Sequence, residues 1–246
     1  METLPPRLYQ YMAKFFDEDT QFRMRRVCRR FRRLCGITKI RHYMPAEMLV
    51  NFAAVRSISF IGRINIYVIP PNIVSATIAA RQIIAAHPLK YLAAHGTRNL
   101  EHAGIDSLKL VGCQDLYIDQ VRRLEIDNSR NITIAEGLQK LISNWPCFPP
   151  VSTVSLQIFG DYYIIDHLVN LRKLVVCGKL TYIPPVRELK FIGAAECDIE
   201  DIPDTVEILH LTGAHGDISH LINLRILWSA TPHLLILPPQ KIELFK

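Results

Sequence analysis

The sequence predicts an α+β fold in two parts: a short, basic helical module, then a long solenoid built on a parallel β-sheet. Three observations predict it. Excess positive charge is confined to the first sixth of the chain, apolar residues recur there at helical spacing, and from residue 55 onward a short apolar phrase ending in glycine recurs. With 246 residues, 49% hydrophobic and 21% charged, the chain has apolar mass for a packed core and too much of it for a disordered one. The expected organisation is a helical module over 1–43, a connecting helix or linker over 44–54 and the solenoid over 55–246.

Charge draws the first boundary. The net charge of +6 divides unevenly: residues 1–43 hold eleven Lys/Arg against four Asp/Glu, and residues 44–246 hold eighteen against nineteen. The N-terminal residues lack a basic stretch followed by an apolar core, so no secretory signal is expected and the chain is placed inside the cell, in cytoplasm or nucleus. Two charge-poor stretches, 64–80 and 141–160, are broken by Pro70-Pro71 and by Pro146, Pro149 and Pro150, which argues against membrane spans. The six cysteines form no CxxC pair and no zinc spacing, so buried, reduced thiols are expected.

In the first module, Leu4, Leu8, Met12, Phe15 and Phe16 repeat at helical spacing behind Pro5 and Pro6, which suit a first turn. Asp17-Glu18-Asp19-Thr20 interrupts with capping and turn residues. A second apolar stripe follows at Met24, Val27, Cys28, Phe31, Leu34 and Cys35, with seven arginines at 23, 25, 26, 29, 30, 32 and 33 on the other face. Such a helix fits a solvated bundle face, an arginine-rich nucleic-acid or nuclear-localisation segment, or a docking motif whose apolar side does the work.

Residues 4–34 resemble the F-box, whose pattern is Leu-Pro-x-Glu-Leu near its start and Val-Cys-Arg-x-Trp/Phe-x-x-Leu at its close. Leu4, Pro5 and Leu8 match the opening, Phe15-Phe16-Asp17 the middle, and Val27, Cys28, Arg29, Phe31 and Leu34 the close, without a gap. Arg7, Glu18 and Thr20 depart from the usual Glu, Pro and Asp. The resemblance implies a three-helix unit that docks on a Skp1-like adaptor and, through it, on a cullin. Leu4, Pro5, Leu8, Met12, Phe15, Phe16, Met24, Val27, Cys28, Phe31 and Leu34 would make that contact. Two amphipathic helices this short also have more apolar surface than they can bury alone. The apolar stripe argues against nucleic acid as the partner.

The long module repeats a phrase of apolar, any, apolar, any, glycine. It stands at Ile58 to Gly62, Leu108 to Gly112, Leu156 to Gly160, Leu174 to Gly178, Leu189 to Gly193 and Leu209 to Gly213, with a weaker copy at Leu92 to Gly96. Seven of the eleven glycines thus share one register. Two further phrases track it: Ile-Pro lead-ins such as Ile183-Pro184-Pro185 and Ile202-Pro203, and Leu168-Val-Asn-Leu171 echoed by Leu221-Ile-Asn-Leu224. Clear starts at 58, 92, 108, 124, 156, 174, 189, 209 and 227 leave two double steps, where weaker strands are expected near Ala76-Thr77-Ile78 and Leu141. Each Leu-x-Leu reads as a short strand with alternate residues inward, successive strands pair in parallel, and glycine turns the chain off the strand end.

This pattern resembles leucine-rich repeats, especially the short Ile-Pro-containing FNIP variant known joined to F-boxes in social amoebae and large DNA viruses. The Phe-Asn phrase that names that variant is missing. In a solenoid, residues alternating away from the core line a wall that binds a partner. One step past the first strand leucine these are Ser59, Lys109, Glu125, Gln157, Lys190, His210 and Trp228. Gln157, Lys190, His210 and Trp228 are the candidates for holding a protein target. Trp228 reads either as an anchor or as packing near the end of the solenoid.

Catalytic signatures are missing. His210, His215 and His220 stand five apart, which is neither a one-turn metal pair nor a zinc signature. The acidic run Asp198, Glu200, Asp201 and Asp204 reads as a solvated loop or a docking site for a basic partner. No phosphate loop, nucleophile elbow or Cys-His pair stands out, so no cofactor and no metal are expected. The expected function is that of a non-catalytic substrate receptor of an SCF-type ubiquitin ligase, with a protein target on the repeats; the alternative is a repeat scaffold or adaptor decoy without ligase output.

Overall fold

The computed structural model describes residues 20, 23, 39–41, 43–49, 55–144, 147–160, 165–178, 180, 182–192, 199–212 and 216–245. They fall into two compact units, Met1–Ala103 and Gly104–Lys246. The α+β expectation needs correction: the described residues build a β-solenoid of parallel strands. Their helical content is one turn at Ala46–Leu49, 3-10 turns at Ile199–Asp201 and Pro232–Leu234, and helical backbone at Thr20 and Arg23. No three-helix module is among them, and apart from Thr20 and Arg23 the stretch 4–34 lies outside the described residues. A turn of 15–20 residues that also spends four or five on a strand leaves little length for a helix, and proline in the return forbids one.

The first unit contains β1 (Lys39–Ile40), β2 (Ser57–Val68), β3 (Ser75–Ala85), β4 (Leu89–His95) and β5 (Asn99–His102). β1 to β4 pair in parallel in chain order, and β5 pairs with the second half of β3. The long strands change face partway. β2 shifts register between Ile61 and Ile64, and in β3 the buried alternation of Ala76, Ile78 and Ala80 slips at Arg81-Gln82 and resumes at Ile83 and Ala85. The weak strand expected near Ala76 is therefore β3. Its Ala76 stands in register between Ile58 and Leu92, all three buried.

The second unit begins with β6 (Ile105–Val111), β7 (Gln114–Ile118), β8 (Val121–Asp127), β9 (Arg130–Ile134) and β10 (Lys140–Ser143). It continues through β11 (Ser155–Phe159), β12 (Lys173–Cys177), β13 (Glu188–Phe191), β14 (Ile208–Leu211) and β15 (Gly216–Asp217). The last strands are β16 (Ile226–Ser229), β17 (Leu235–Ile236) and β18 (Glu243–Phe245). The main sheet runs β6-β8-β10-β11-β12-β13-β14-β16-β18, all parallel, while β7 pairs with β9 and β15 with β17.

Leucine stacks along this sheet. Leu108, Leu124, Leu141, Leu156, Leu174, Leu189, Leu209 and Leu227 stand in register, none more than 2% exposed. Each burial is worth roughly 1.5–3 kcal/mol, so the column is the main cohesion of the unit. β10 is the strand expected at Leu141.

Where the chain leaves the strand it adopts a left-handed turn. Gly112 has φ 62°, and one rung on Asn128 stands in the glycine's place with φ 47°, since asparagine tolerates that region better than other side chains. Gly178 is required more strictly: with φ 144°, a Cβ there would lie 2.3 Å from the Gly160 carbonyl oxygen.

The Leu-x-Asn-Leu phrase is a return, not a strand. Leu168, Leu171, Leu221 and Leu224 point into the core. The amides of Asn170 and Asn223 donate to the carbonyls of Val151 at 3.2 Å and Asp204 at 2.9 Å. His167 and His220 donate from Nε2 to the carbonyls of Pro149 at 2.7 Å and Ile202 at 2.9 Å. Side chains thus satisfy carbonyls that have no strand partner. Among the described residues, no helix is long and apolar enough to cross a membrane.

Candidate interaction face

A strand that buries every second residue must turn the others outward, and parallel register then aligns them rung above rung. The column that alternates with the leucines in the second unit reads Lys109, Glu125, Ile142, Gln157, Val175, Lys190, His210, Trp228 and Phe245, and of these Val175 is buried. All four proposed target-binding residues, Gln157, Lys190, His210 and Trp228, therefore share one line. Ser59 belongs to the first unit, in register with Thr77 and Ala93. Sequence reasoning missed Ile142 and Phe245, and left out Val175, one step past Leu174, which is buried. The strand of Ile142 was the double step at Leu141 and that of Phe245 a last rung without glycine; the 17-residue step from Leu227 to Leu244 was the available signal.

Charge on this face is largely paired along the ladder. Lys109 bonds Glu125 at 2.5 Å, Lys173 pairs with Glu188, and Glu207 receives Arg187 at 3.0 Å and Arg225 at 3.9 Å. Pairs this exposed contribute little stability, but they leave Lys190 as a cation without an ion pair among the described residues.

The C-terminal third of the column changes character. His210 and Trp228 stack with ring centroids 5.5 Å apart and planes 2° from parallel, and Trp228 stacks on Phe245 at 4.4 Å and 18°. Burial, then the charge of Lys190 and to a lesser degree that of Lys173, hold the imidazole of His210 below the ordinary histidine range, against an opposing pull from Glu188 that is weaker than that of Lys190. His210 is thus neutral at neutral pH and stacks without introducing charge. Trp228 and Phe245 remain 39% and 38% exposed, and the neighbouring column is apolar at Ile208 and Ile226. Rung spacing holds these rings rigidly, so their outward edges form a pre-ordered aromatic strip.

The remaining candidates are not drawn into a second site. His220 bonds a carbonyl and His215 lies outside the described residues; among those described, no group of three or more His, Cys, Asp or Glu side chains could hold a metal. Glu200 and Asp201 lie in a 3-10 turn, and Asp198 lies outside the described residues. Among the described residues, Cys113, Cys147 and Cys177 form no disulfide with one another, and burial pushes the Cys147 thiol up, against a smaller effect of Ser143. The adaptor-contact residues Leu4, Pro5, Leu8, Met12, Phe15, Phe16, Met24, Val27, Cys28, Phe31 and Leu34 all lie outside the described residues. No protein-family model, curated protein or solved structure matches the chain.

Proposed function

We propose that this chain is a non-catalytic target receptor, whose solenoid face binds a protein and whose N-terminal sequence couples it to an SCF-type ubiquitin ligase through a Skp1-like adaptor. The observation that carries the first half is the stacked row His210, Trp228 and Phe245 on a rigid parallel sheet. Aromatic anchors dominate binding energetics, and anchors already fixed by stacking lose little freedom on binding. Lys190 and Gln157 continue the column as polar contacts that fix register. The second half rests on the F-box-like sequence of residues 4–34, whose Leu-Pro-x-x-Leu and Val-Cys-Arg-x-Phe-x-x-Leu phrases supply the adaptor contact. The chain then performs no chemistry and works by proximity, raising the local concentration of target lysines near a ubiquitin-charged enzyme.

A pull-down of a purified Skp1-like adaptor by the full chain tests the coupling. Leu8→Ala with Val27→Ala should abolish capture, and Trp228→Ala should leave it unchanged. A folded wild-type chain that captures no adaptor rejects the ligase half. Adaptor capture without any effect of the Leu8/Val27 pair on target turnover points instead to a decoy or scaffold.

A further inference from the structure

Charge separates the two units. Met1–Ala103 contains sixteen Lys/Arg against six Asp/Glu, and Gly104–Lys246 thirteen against seventeen. Within the first unit, part of this charge sits where the strands change face. Asn65, Arg81 and Arg98 hold the same corner on successive rungs: Ile64 and Ile66 pair with Ala80 and Gln82 around it, and Arg98 N–H donates to the Arg81 carbonyl at 2.9 Å. Two exposed arginines thus stand one strand spacing apart, about 4.8 Å at the backbone. Neither guanidinium has an ion pair or hydrogen bond among the described residues. The nearby carboxylate of Glu101 is already engaged, accepting from Gln82 at 2.9 Å and Asn99 at 3.3 Å.

The corner opens into a cleft of about 450 Å³ lined by Asn65, Ile66, Arg81, Gln82, Arg98 and Asn99. A second cleft of about 380 Å³ shares Asn65 and Arg81 with it. Like charges placed side by side repel each other, and an anion between them removes that repulsion. Each guanidinium presents a planar fork of donors matched to two oxygens of a tetrahedral oxyanion.

We propose that the Arg81–Arg98 corner binds a phosphate dianion, either free or as the monoester of a phosphorylated protein side chain. A compact dianion fits better than a nucleic-acid strand. The arginine pair is local and is flanked by Glu101 and by the exposed apolar Ile66, whereas a strand of phosphodiesters needs a continuous basic track. The site lies on the first unit, so it stands or falls independently of the aromatic face.

Calorimetric titration of the full chain with inorganic phosphate, at fixed ionic strength, is the test. Saturable binding should weaken about tenfold in Arg81→Gln or Arg98→Gln and vanish in the double variant. Arg81→Lys, which keeps the charge and loses the fork, should fall between. Both side chains are exposed, so circular dichroism should be unchanged in every variant. A phosphoserine peptide that binds more tightly than both phosphate and its unphosphorylated form identifies a protein source; equal affinity for phosphate and phosphopeptide identifies the free anion. Binding that chloride reproduces, that survives the double substitution, or that a short oligonucleotide outcompetes overturns the proposal.

Discussion

Two stretches of the second unit carry the same buried leucine column on different returns. Across 105–134 each turn uses two strands, one in the main sheet and one in the β7-β9 pair, and both advance by sixteen residues, from Leu108 to Leu124 and from Gln114 to Arg130. Its corners are left-handed residues at Gly112, Asp115, Gln120, Asn128 and Asn131. Across 155–245 the described turns have one main-sheet strand each. Strand pairing on the returns is confined among the described residues to the two-residue β15 and β17, and the return is otherwise held by buried leucines and by Asn and His side chains that bond carbonyls of the preceding rung. Here the steps between leucines are 18, 15, 20 and 18. Backbone pairing on both faces locks the length of a turn, because every residue added to one strand must be matched on the next. Side-chain bonds on the return tolerate insertion, because each satisfies one carbonyl and not a ladder.

The largest effect that should divide the two stretches is at their turn glycines. Gly178→Ala drives a Cβ into the Gly160 carbonyl and should cost about 2–3 kcal/mol, whereas Gly112→Ala meets nothing within 4 Å and should cost only the left-handed penalty of about 1–2 kcal/mol. Urea midpoints of the two variants measure the difference; equal losses would mean that the glycines serve conformation alone. A smaller effect belongs to the side-chain return. Asn223→Ala should cost about 1 kcal/mol and speed amide exchange in the turn that follows, without altering exchange in 105–134.

The smallest effect is the pH dependence of the aromatic strip. Because the folded imidazole of His210 holds its proton less well than the unfolded one, its contribution is fully present above the ordinary histidine value of about 6.5 and declines as pH falls below it. The urea midpoint should therefore drop on acidification through that range, and His210→Gln should flatten the drop. An unchanged slope would mean that the stack with Trp228 does not depend on a neutral imidazole.

The leucine column was legible because its signal is local. Alternation and a glycine exit can be read within five residues, and the two double steps located β3 and β10 even where alanine or a bare Leu141 weakened the phrase. The outward column followed by counting one residue along, which placed Gln157, Lys190, His210 and Trp228 in one line before any register was known. Less legible were β7 and β9, each only five residues long; in β9 no residue is fully buried, so alternation had little to display. Asn128 hid a turn because the register was sought in glycine. The α+β expectation weighted the N-terminal helical pattern and took the Leu-x-Asn-Leu phrase only as an echo, although among the described residues the returns carry no helix beyond single turns.

By itself, then, the sequence determined which residues face inward, roughly where each rung begins and that the charge divides along the chain. Tertiary structure decided which side chains become neighbours: that Phe245 completes the stack on Trp228, that His167 and His220 serve carbonyls of earlier rungs, and that Arg81 and Arg98 share one corner. The reason is physical. Facing is dictated within a strand by the period of two, whereas adjacency in a solenoid joins residues 15–20 apart, and an error of one residue in a turn's length moves every side chain of the next strand to the opposite face.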